Sequence, residues 1–329
     1  MDDALLVLVI VVALGFDFTN GFHDTANAVA TSVSTRALSP RMAVLVAAVA
    51  NVAGAFVTTA VAKTVGKGII DTGLANDKTV LAAVIGAIVW NLLTWWFGLP
   101  SSSSHALIGG LVGAALAQSG YAGVQWHGVT EKVVIPSLIS PVAGFVGAAL
   151  LLLLIYWVFV RITPGVANRG FRLAQLISGT FVAFTHGAND AQKTMGVIAL
   201  VLFTHGSIDH FYIPTWVIVA AGVAIGAGTY VGGWRIMRTM GQRIFKMEPA
   251  SGFAAQMSCA ATLYVTARVG FPVSTTHVIS GSVMGAGAMQ RFSAVRWGVA
   301  GNIVAAWILT IPAAAGVAAA LYWPIQGIF

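Results

Sequence analysis

Four short stretches hold most of the side chains able to do chemistry inside an otherwise apolar chain. Two of them read Pro100-Ser-Ser-Ser-Ser-His105 and Pro272-Val-Ser-Thr-Thr-His277. Each sets hydroxyls after a proline and before an apolar run, which is the pattern of a helix start. The first N–H groups of a helix lack intrahelical partners and carry partial positive charge, so they attract anions. Ser102, Ser103 and Ser104 add hydroxyl donors at one start; Ser274, Thr275 and Thr276 add them at the other. Ser and Thr also serve as ordinary N-caps. It is the doubling of the pattern that favours a tetrahedral oxyanion held between two helix ends.

The other two stretches are acidic. Asp17, Asn20, Asp24, Asn27 and Thr31 stay on one face of a helix, and a second helix offers His186, Asn189, Asp190 and Lys193. Ionisable groups in a membrane span are costly and mark function by default. Asp24 and Asp190, with Asn27 and Asn189, are oxygen-rich enough to meet a hard cation or to exchange a proton. A polar network that locks helices together is the other use of such groups. Asp24 and Lys193 can also pair across the two stretches. Two carboxylates near an anion make sense if a cation or proton travels with it. Monohydrogen phosphate can donate a hydrogen bond to a carboxylate and sulfate cannot, so phosphate is favoured and sulfate is the alternative. His105 and His277 are candidates for gating or proton relay, beside a purely structural role. His23 and His186 flank the acidic motifs and carry less weight. Arg268, just before the second hydroxyl run, approaches the anion if that turn is buried and is a plain loop charge if exposed.

The elements that position these groups must lie in lipid. Of 329 residues, 58% are hydrophobic and only 8% are charged, too few charges to cover a water-facing surface. The formal charge of +7 does not point to nucleic acid, because the basic residues are scattered and form no stripe with interleaved aromatics. The single cysteine, Cys259, reads as packing. Met1-Asp2-Asp3 lacks the positive start of a signal peptide, so the first apolar run is expected to remain as a membrane helix. Apolar runs lie near 4–33, 42–62, 79–97, 102–118, 134–160, 171–203, 214–231, 251–268, 273–289 and 296–321. Counting loop charge, eleven Lys/Arg fall on one side and five (Lys63, Lys67, Lys78, Lys132, Arg268) on the other. The positive-inside rule then puts both termini outside a multi-pass plasma-membrane protein.

The chain contains itself twice. Gly98-Leu-Pro-Ser-Ser-Ser-Ser-His105 recurs as Gly270-Phe-Pro-Val-Ser-Thr-Thr-His277, with Gly109 and Gly113 matched by Gly281 and Gly285. Asn20-Gly-Phe-His-Asp24 recurs as His186-Gly-Ala-Asn-Asp190. The copies start on opposite sides, as in secondary transporters whose broken helices meet at mid-membrane. The expected fold is therefore an all-α membrane protein, an inverted-repeat helical bundle with two re-entrant helical hairpins. Residues 1–160 form the first repeat (hairpin tip near 98–104), 161–172 a short cytoplasmic link, and 173–329 the inverted second repeat (tip near 270–276). No Gly-x-Ser-x-Gly or His-Glu-x-x-His motif supports the rival reading of an intramembrane enzyme. A channel is a further alternative, marked by flux without saturation or coupling.

These motifs resemble the inorganic phosphate transporter (PiT) family. Gly21-Phe-His-Asp-Thr-Ala-Asn-Ala-Val-Ala-Thr31 is similar to its Gly-x-Asn-Asp-x-Ala-Asn signature, and Gly187-Ala-Asn-Asp-Ala-Gln-Lys-Thr-Met-Gly196 to the second-half version. The two proline–hydroxyl runs resemble its hairpin motif. The resemblance implies a phosphate symporter driven by sodium or protons, working by alternating access, without a resident cofactor. A divalent metal is a possible companion of the phosphate, with Asp24 and Asp190 as its contacts. It also implies dimers and a substrate site built from the hairpin hydroxyls with Asn27 and Asn189. Two departures bear on coupling. Lys193 stands where a copy of Asn27 would put an amide, which argues for protons over a bound sodium. His23 stands where the signature often has Asn.

Overall fold

The computed structural model describes residues 3–329. The first half comprises α1 (Asp3–Ser34), α2 (Pro40–Gly54), α3 (Ala60–Lys67), α4 (Asp77–Phe97) and α5 (Ser103–Ser119). A short α6 (Trp126–Val129) then runs through a π turn into α7 (Ile135–Val158). The second half comprises α8 (Pro164–Thr204), α9 (Thr215–Val231), α10 (Trp234–Arg238), α11 (Pro249–Val269), α12 (Thr275–Gln290) and α13 (Trp297–Ile328). Among the described residues no strand forms, and one isolated bridge pairs Ile70 with Val124. α1, α4, the segment 126–158 and α13 are long and apolar enough to cross a bilayer; α9 with Trp234–Arg243, bent by 60°, makes a fifth span if taken as one. Leu138, Ile139, Val142 and Leu150 of α7, and Ile308 and Leu309 of α13, are exposed, as a lipid-facing surface requires.

Two apolar clusters form the core, and a polar layer separates them. α1 enters the first cluster through Leu5–Phe16 and the second through Ala26–Ala30. α8 enters the second through Val182 and Ala183 and the first through Ala191–Leu202. The two helices thus cross the same layers in opposite directions, as the inverted repeat demands. Each brings its acidic stripe to the level between the clusters, where Asp17, Thr19–Asn27 and Thr185–Thr194 are buried.

The halves are interlocked rather than side by side. The first hairpin, α4–α5, packs on α13, and the second, α11–α12, packs on α7. Glycine permits this close approach. A Cβ on Gly113 would lie 2.1 Å from the Ala315 carbonyl oxygen, and one on Gly285 would lie 2.0 Å from that of Phe145. The glycines that repeat in the sequence are therefore the contacts by which each hairpin grips the other half. Two further glycines end the descending arms. Gly98 (φ +64°) and Gly270 (φ +87°) adopt the left-handed conformation that closes α4 and α11 just before the tips.

Two expectations need correction. The run 42–62 is not one helix: it breaks between Gly54 and Ala60. A Cβ at Gly54 would lie 1.9 Å from the Phe184 carbonyl, so α2 ends pressed against α8. The Gln192 side chain then caps α3 from across the bundle, accepting from the N–H groups of Val61 (2.8 Å) and Ala62 (3.3 Å). Next, Pro164 starts α8 in the favoured first-turn position, so most of 161–172 is helical rather than link. Of the two alternatives for Arg268, the structure has the exposed one: it lies over the Tyr264 ring, with its guanidinium 3.0 Å from the Tyr264 hydroxyl, as a loop charge. Cys259 is buried.

Two outcomes follow from this packing. Gly285→Ala forces α12 from α7 and lowers stability by about 1–3 kcal/mol, as core overpacking does, whereas Gly301→Ala, with open space around it, leaves thermal unfolding in detergent unchanged. At the C-terminal end of α8, His205 Nδ1 lies 2.8 Å from Asp77 Oδ2 and Nε2 lies 3.3 Å from Asp3 Oδ1. The hydrogen bond to Asp77, helped by Asp3, raises the His205 pKa above its ordinary 6.5. The tie is therefore fully present below 6.5 and is lost as pH rises through the higher folded value. Melting followed from about pH 6 to about pH 8.5 falls with pH in the wild type, and His205→Gln flattens that fall.

Candidate functional site

The two tips meet. Ser104 Oγ of the first lies 3.4 Å from the Val273 carbonyl oxygen of the second, and the His105 and His277 rings stand edge to face at 4.6 Å. Ser102 and Ser274 are the N-caps of α5 and α12, accepting from the N–H groups of His105 (3.1 Å) and His277 (3.3 Å). Their oxygens are occupied as caps, and their hydroxyl protons are still available to donate. Ser103, Ser104, Thr275 and Thr276 occupy the first turns, all buried.

Each stripe bonds the tip of the opposite half. Asn27 Nδ2 on α1 donates to Thr276 Oγ1 of the second tip at 2.9 Å. Lys193 Nζ on α8 donates to Ser104 Oγ of the first tip, to the Val273 carbonyl (3.1 Å), and to Asp190 Oδ1. The same sequence position in the two repeats thus makes the same cross-contact, once with an amide and once with an ammonium. Lys193 pairs with Asp190 on its own helix, three residues away, and not with Asp24. The reason is geometric: positions three apart share a helix face, so the nearer carboxylate takes the ammonium. Asp24 instead lies 2.7 Å from His23 Nδ1.

The carboxylates are held by their surroundings. Thr275 donates to Asp190 Oδ1 at 3.2 Å, and Thr276 lies 3.5 Å from Asp24 Oδ1. His186 Nε2 stands 3.3 Å from Asp190 Oδ2, while its Nδ1 is fixed by Asn51 Oδ1 at 2.9 Å. One ligand atom each of Asp24, His186 and Asp190 lies within 4.8 Å of the others, all buried. The carboxamide oxygens of Asn27 and Asn189 have no hydrogen-bond partner. Asn189 Nδ2 donates to the Phe271 carbonyl of the second tip at 3.4 Å. This leaves free acceptors, hydroxyls and helix N-termini around one point. With neutral histidines the cluster holds two carboxylates and one ammonium, so an entering anion needs positive company.

Some groups fall elsewhere. His105 and His277 contact each other, Ser137 (2.7 Å from His105 Nε2) and Trp307 (stacked at 4.0 Å), and make no hydrogen bond or ion pair with Asp24 or Asp190. Conversely, Ser101 and Thr94 belong to the site. Ser101 donates to Thr94 at 2.8 Å, and Thr94 and Ser101 lie 3.1 and 3.4 Å from His23 Nε2. Asn51 donates to Thr229 at 2.8 Å and thereby fixes His186. No motif announces Thr94, Asn51 or Thr229; single polar residues in long apolar helices were the only signal. Near the first tip a cavity of about 370 Å³ is lined by Arg235, Arg238 and Arg243, on the side that charge counting assigns to the cytoplasm.

Removing one member of the buried pair exposes the other to an apolar interior. Lys193→Met destabilises the protein by about 3–5 kcal/mol, and adding Asp190→Asn recovers part of that loss. Thermal unfolding of the two singles and the double in detergent measures it; additive losses would mean the two are not coupled.

The pattern of the phosphate transporter family matches residues 20–318. A probable low-affinity inorganic phosphate transporter of Rhizobium meliloti (strain 1021) is 51% identical, covering 97% of this chain and 96% of that one. Proteins of the same description from Mycobacterium tuberculosis (strain ATCC 25618 / H37Rv) and Bacillus subtilis (strain 168) are 50% and 44% identical; they cover 97% and 99% of this chain and 77% and 98% of their own lengths. The solved structure described as the sodium-dependent phosphate transporter superposes with a TM-score of 0.92 at 25% identity, covering 99% of this chain and all of that one. With its two hairpin tips, its paired acidic stripes and this likeness over nearly its whole length, the chain belongs to the phosphate transporter family.

Proposed function

We propose that the protein is a symporter that imports inorganic phosphate across the plasma membrane by alternating access, with protons as the coupling ion. The observation that carries this reading is the convergence of two helix N-termini, from inverted halves, on the Asp24–Asp190–Lys193 cluster. The backbone N–H groups and hydroxyls of Ser103, Ser104, Thr275 and Thr276 bind the phosphate oxygens. Asp24 and Asp190 accept the hydrogen bond that monohydrogen phosphate can donate. Lys193 supplies a resident positive charge. The site has many donors and one fixed cation, which suits binding that must also release.

Sodium coupling is the second reading, and one observation favours it. The Asn27 carboxamide oxygen is unpartnered beside Thr276, and Asp24 lies in the same half, so the first repeat keeps oxygen donors where the second has an ammonium. A metal–phosphate complex as substrate is supported by the convergence of Asp24, His186 and Asp190. With neutral histidines, the net negative charge of the cluster favours such a complex over a bare dianion.

Radiolabelled phosphate uptake into proteoliposomes under imposed proton or sodium gradients, with sulfate as competitor, tests the reading. Asp24→Asn and Asp190→Asn lower uptake by about tenfold or more, equal to about 1.4 kcal/mol. Ser103→Ala and Thr275→Ala raise the phosphate KM by roughly tenfold, the loss of one hydrogen bond to a charged group. Normal uptake by both Asn variants would remove the carboxylates from the mechanism, and competition by sulfate at equal affinity would broaden the substrate.

A further inference from the structure

The acidic stripe on α1 has a member that the phosphate site does not use. Asp17 is fully buried, and neither of its carboxylate oxygens has a hydrogen-bond partner in the protein. The polar side chains beside it are Thr194 on α8 and Asn20 on its own helix. Thr194 Oγ1 and Asn20 Oδ1 are likewise buried and unpartnered. The charged groups acting on it are Asp190 and Lys193 of α8. Lys193 is already engaged by Asp190, Ser104 and the Val273 carbonyl. On α1 the nearest titratable groups are His23 and Asp24, which pair with each other. α8 adds His186, turned to Asn51 and Asp190, while α5 and α12 bring His105 and His277, which face each other. α4 carries Asp77 and Lys78 at its far start, α2 carries Arg41 at its start, and α9 has no Asp, Glu, Lys, Arg or His.

An ionised carboxylate with only the neutral Thr194 hydroxyl and Asn20 amide beside it, and no free cation, is costly in such a place. One proton resolves this. It turns Asp17 into a donor, and two orphaned acceptors, Thr194 Oγ1 and Asn20 Oδ1, stand beside it. A metal cation would use the same oxygens but would sit close to the Lys193 ammonium. Asp17 lies two helical turns, about 10 Å, before Asp24 on the same face. That is toward the N-terminal end of α1, which the loop charges place outside.

We propose that Asp17 is a proton-binding site distinct from the phosphate pocket, and that it carries the coupling proton. A proton from outer water adds to one Asp17 oxygen, travels with the bound phosphate through the change of access, and leaves that oxygen for inner water. One O–H bond forms and later breaks, and one proton crosses per cycle. This rests on the proton-coupled reading above.

The test uses purified protein in proteoliposomes and separates two readouts. The first is exchange of external radiolabelled phosphate for internal phosphate without a pH gradient; the second is accumulation driven by an alkaline interior. Asp17→Asn, which resembles the permanently protonated group, keeps exchange within about threefold of wild type while accumulation falls by about tenfold or more. Asp17→Glu, which restores a titratable oxygen, regains accumulation with a shifted pH profile. Gradient-driven accumulation by Asp17→Asn at the wild-type level would overturn the assignment while leaving phosphate transport intact. So would loss of exchange together with accumulation in both the Asn and Glu variants, which marks a structural group. Accumulation driven by a sodium gradient alone would overturn it in favour of a cation. A wild-type protein that exchanges no phosphate would overturn the transport reading, and this proposal with it.

Discussion

A charge buried in an apolar bundle must be answered by a partner, and the Lys193 ammonium sets the terms for everything around it. It sits between Asp190 on its own helix and Ser104 and the Val273 carbonyl on the two tips. The bond to Asp190 neutralises the ammonium, and the bonds to the tips tie both hairpins to α8. A Lys side chain has three donors and no acceptor, and here three oxygens from three elements take them. Moving either hairpin away from α8 therefore strips a donor of its partner in low dielectric. The same geometry is repeated more gently in the first half, where Asn27 bonds Thr276. The Asn27 bond is neutral where the Lys193 bonds are charge-assisted, so the polar links that hold the tips are of unequal strength.

Those links hold because the hairpins are exchanged between halves. α4–α5 leans on α13 and α11–α12 on α7, through carbonyls that touch glycine faces with no room for a methyl group. Between helices in lipid, tight packing of small residues does what the hydrophobic effect does in water. Each hairpin is thus seated by van der Waals contact on the opposite half and hydrogen-bonded at its tip to the stripe of that same opposite half. A shift of one half relative to the other must carry both tips with it, which is what a shared site that opens to either face needs.

Much of this was legible in the sequence. The proline–hydroxyl runs gave both tips, the acidic stripes gave the groups facing them, and the repeated glycines proved to be the hairpin contacts. What was not legible had a common cause. A repeat shows which residues correspond, not which half they touch, so the exchange of hairpins was invisible. Lys193 had two carboxylates within its length, and only helix register chose Asp190. The break at 54–60 is driven by α8 pressing on Gly54 and by Gln192 capping from across the bundle, both long-range effects. Thr94, Asn51 and Thr229 are single polar residues in apolar runs, and their roles exist only once α1, α2, α8 and α9 come together. His105 and His277 were rightly linked by symmetry, but they pair behind the tips rather than with the acids.

The departures from symmetry bear on mechanism. If the two halves were identical, the state open to one side would be the mirror in energy of the state open to the other. Here equivalent positions differ at the site itself, among them Asn27 against Lys193 and His23 against Asn189. His23 is bonded to Asp24, Thr94 and Ser101, so the first tip is braced by a titratable ring; Asn189 offers only an amide to the Phe271 carbonyl. The ammonium on the second stripe holds the first tip, and the amide on the first stripe holds the second. Lys193 also reaches the second tip through the Val273 carbonyl, so displacing either tip breaks a charge-assisted bond, and displacing the second breaks the neutral Asn27 bond as well. A charge-assisted hydrogen bond is roughly twice as strong as a neutral one, so the two equivalent cross-contacts, Lys193 to Ser104 and Asn27 to Thr276, are unequal in strength, and an anion that draws Lys193 from Ser104 weakens the stronger.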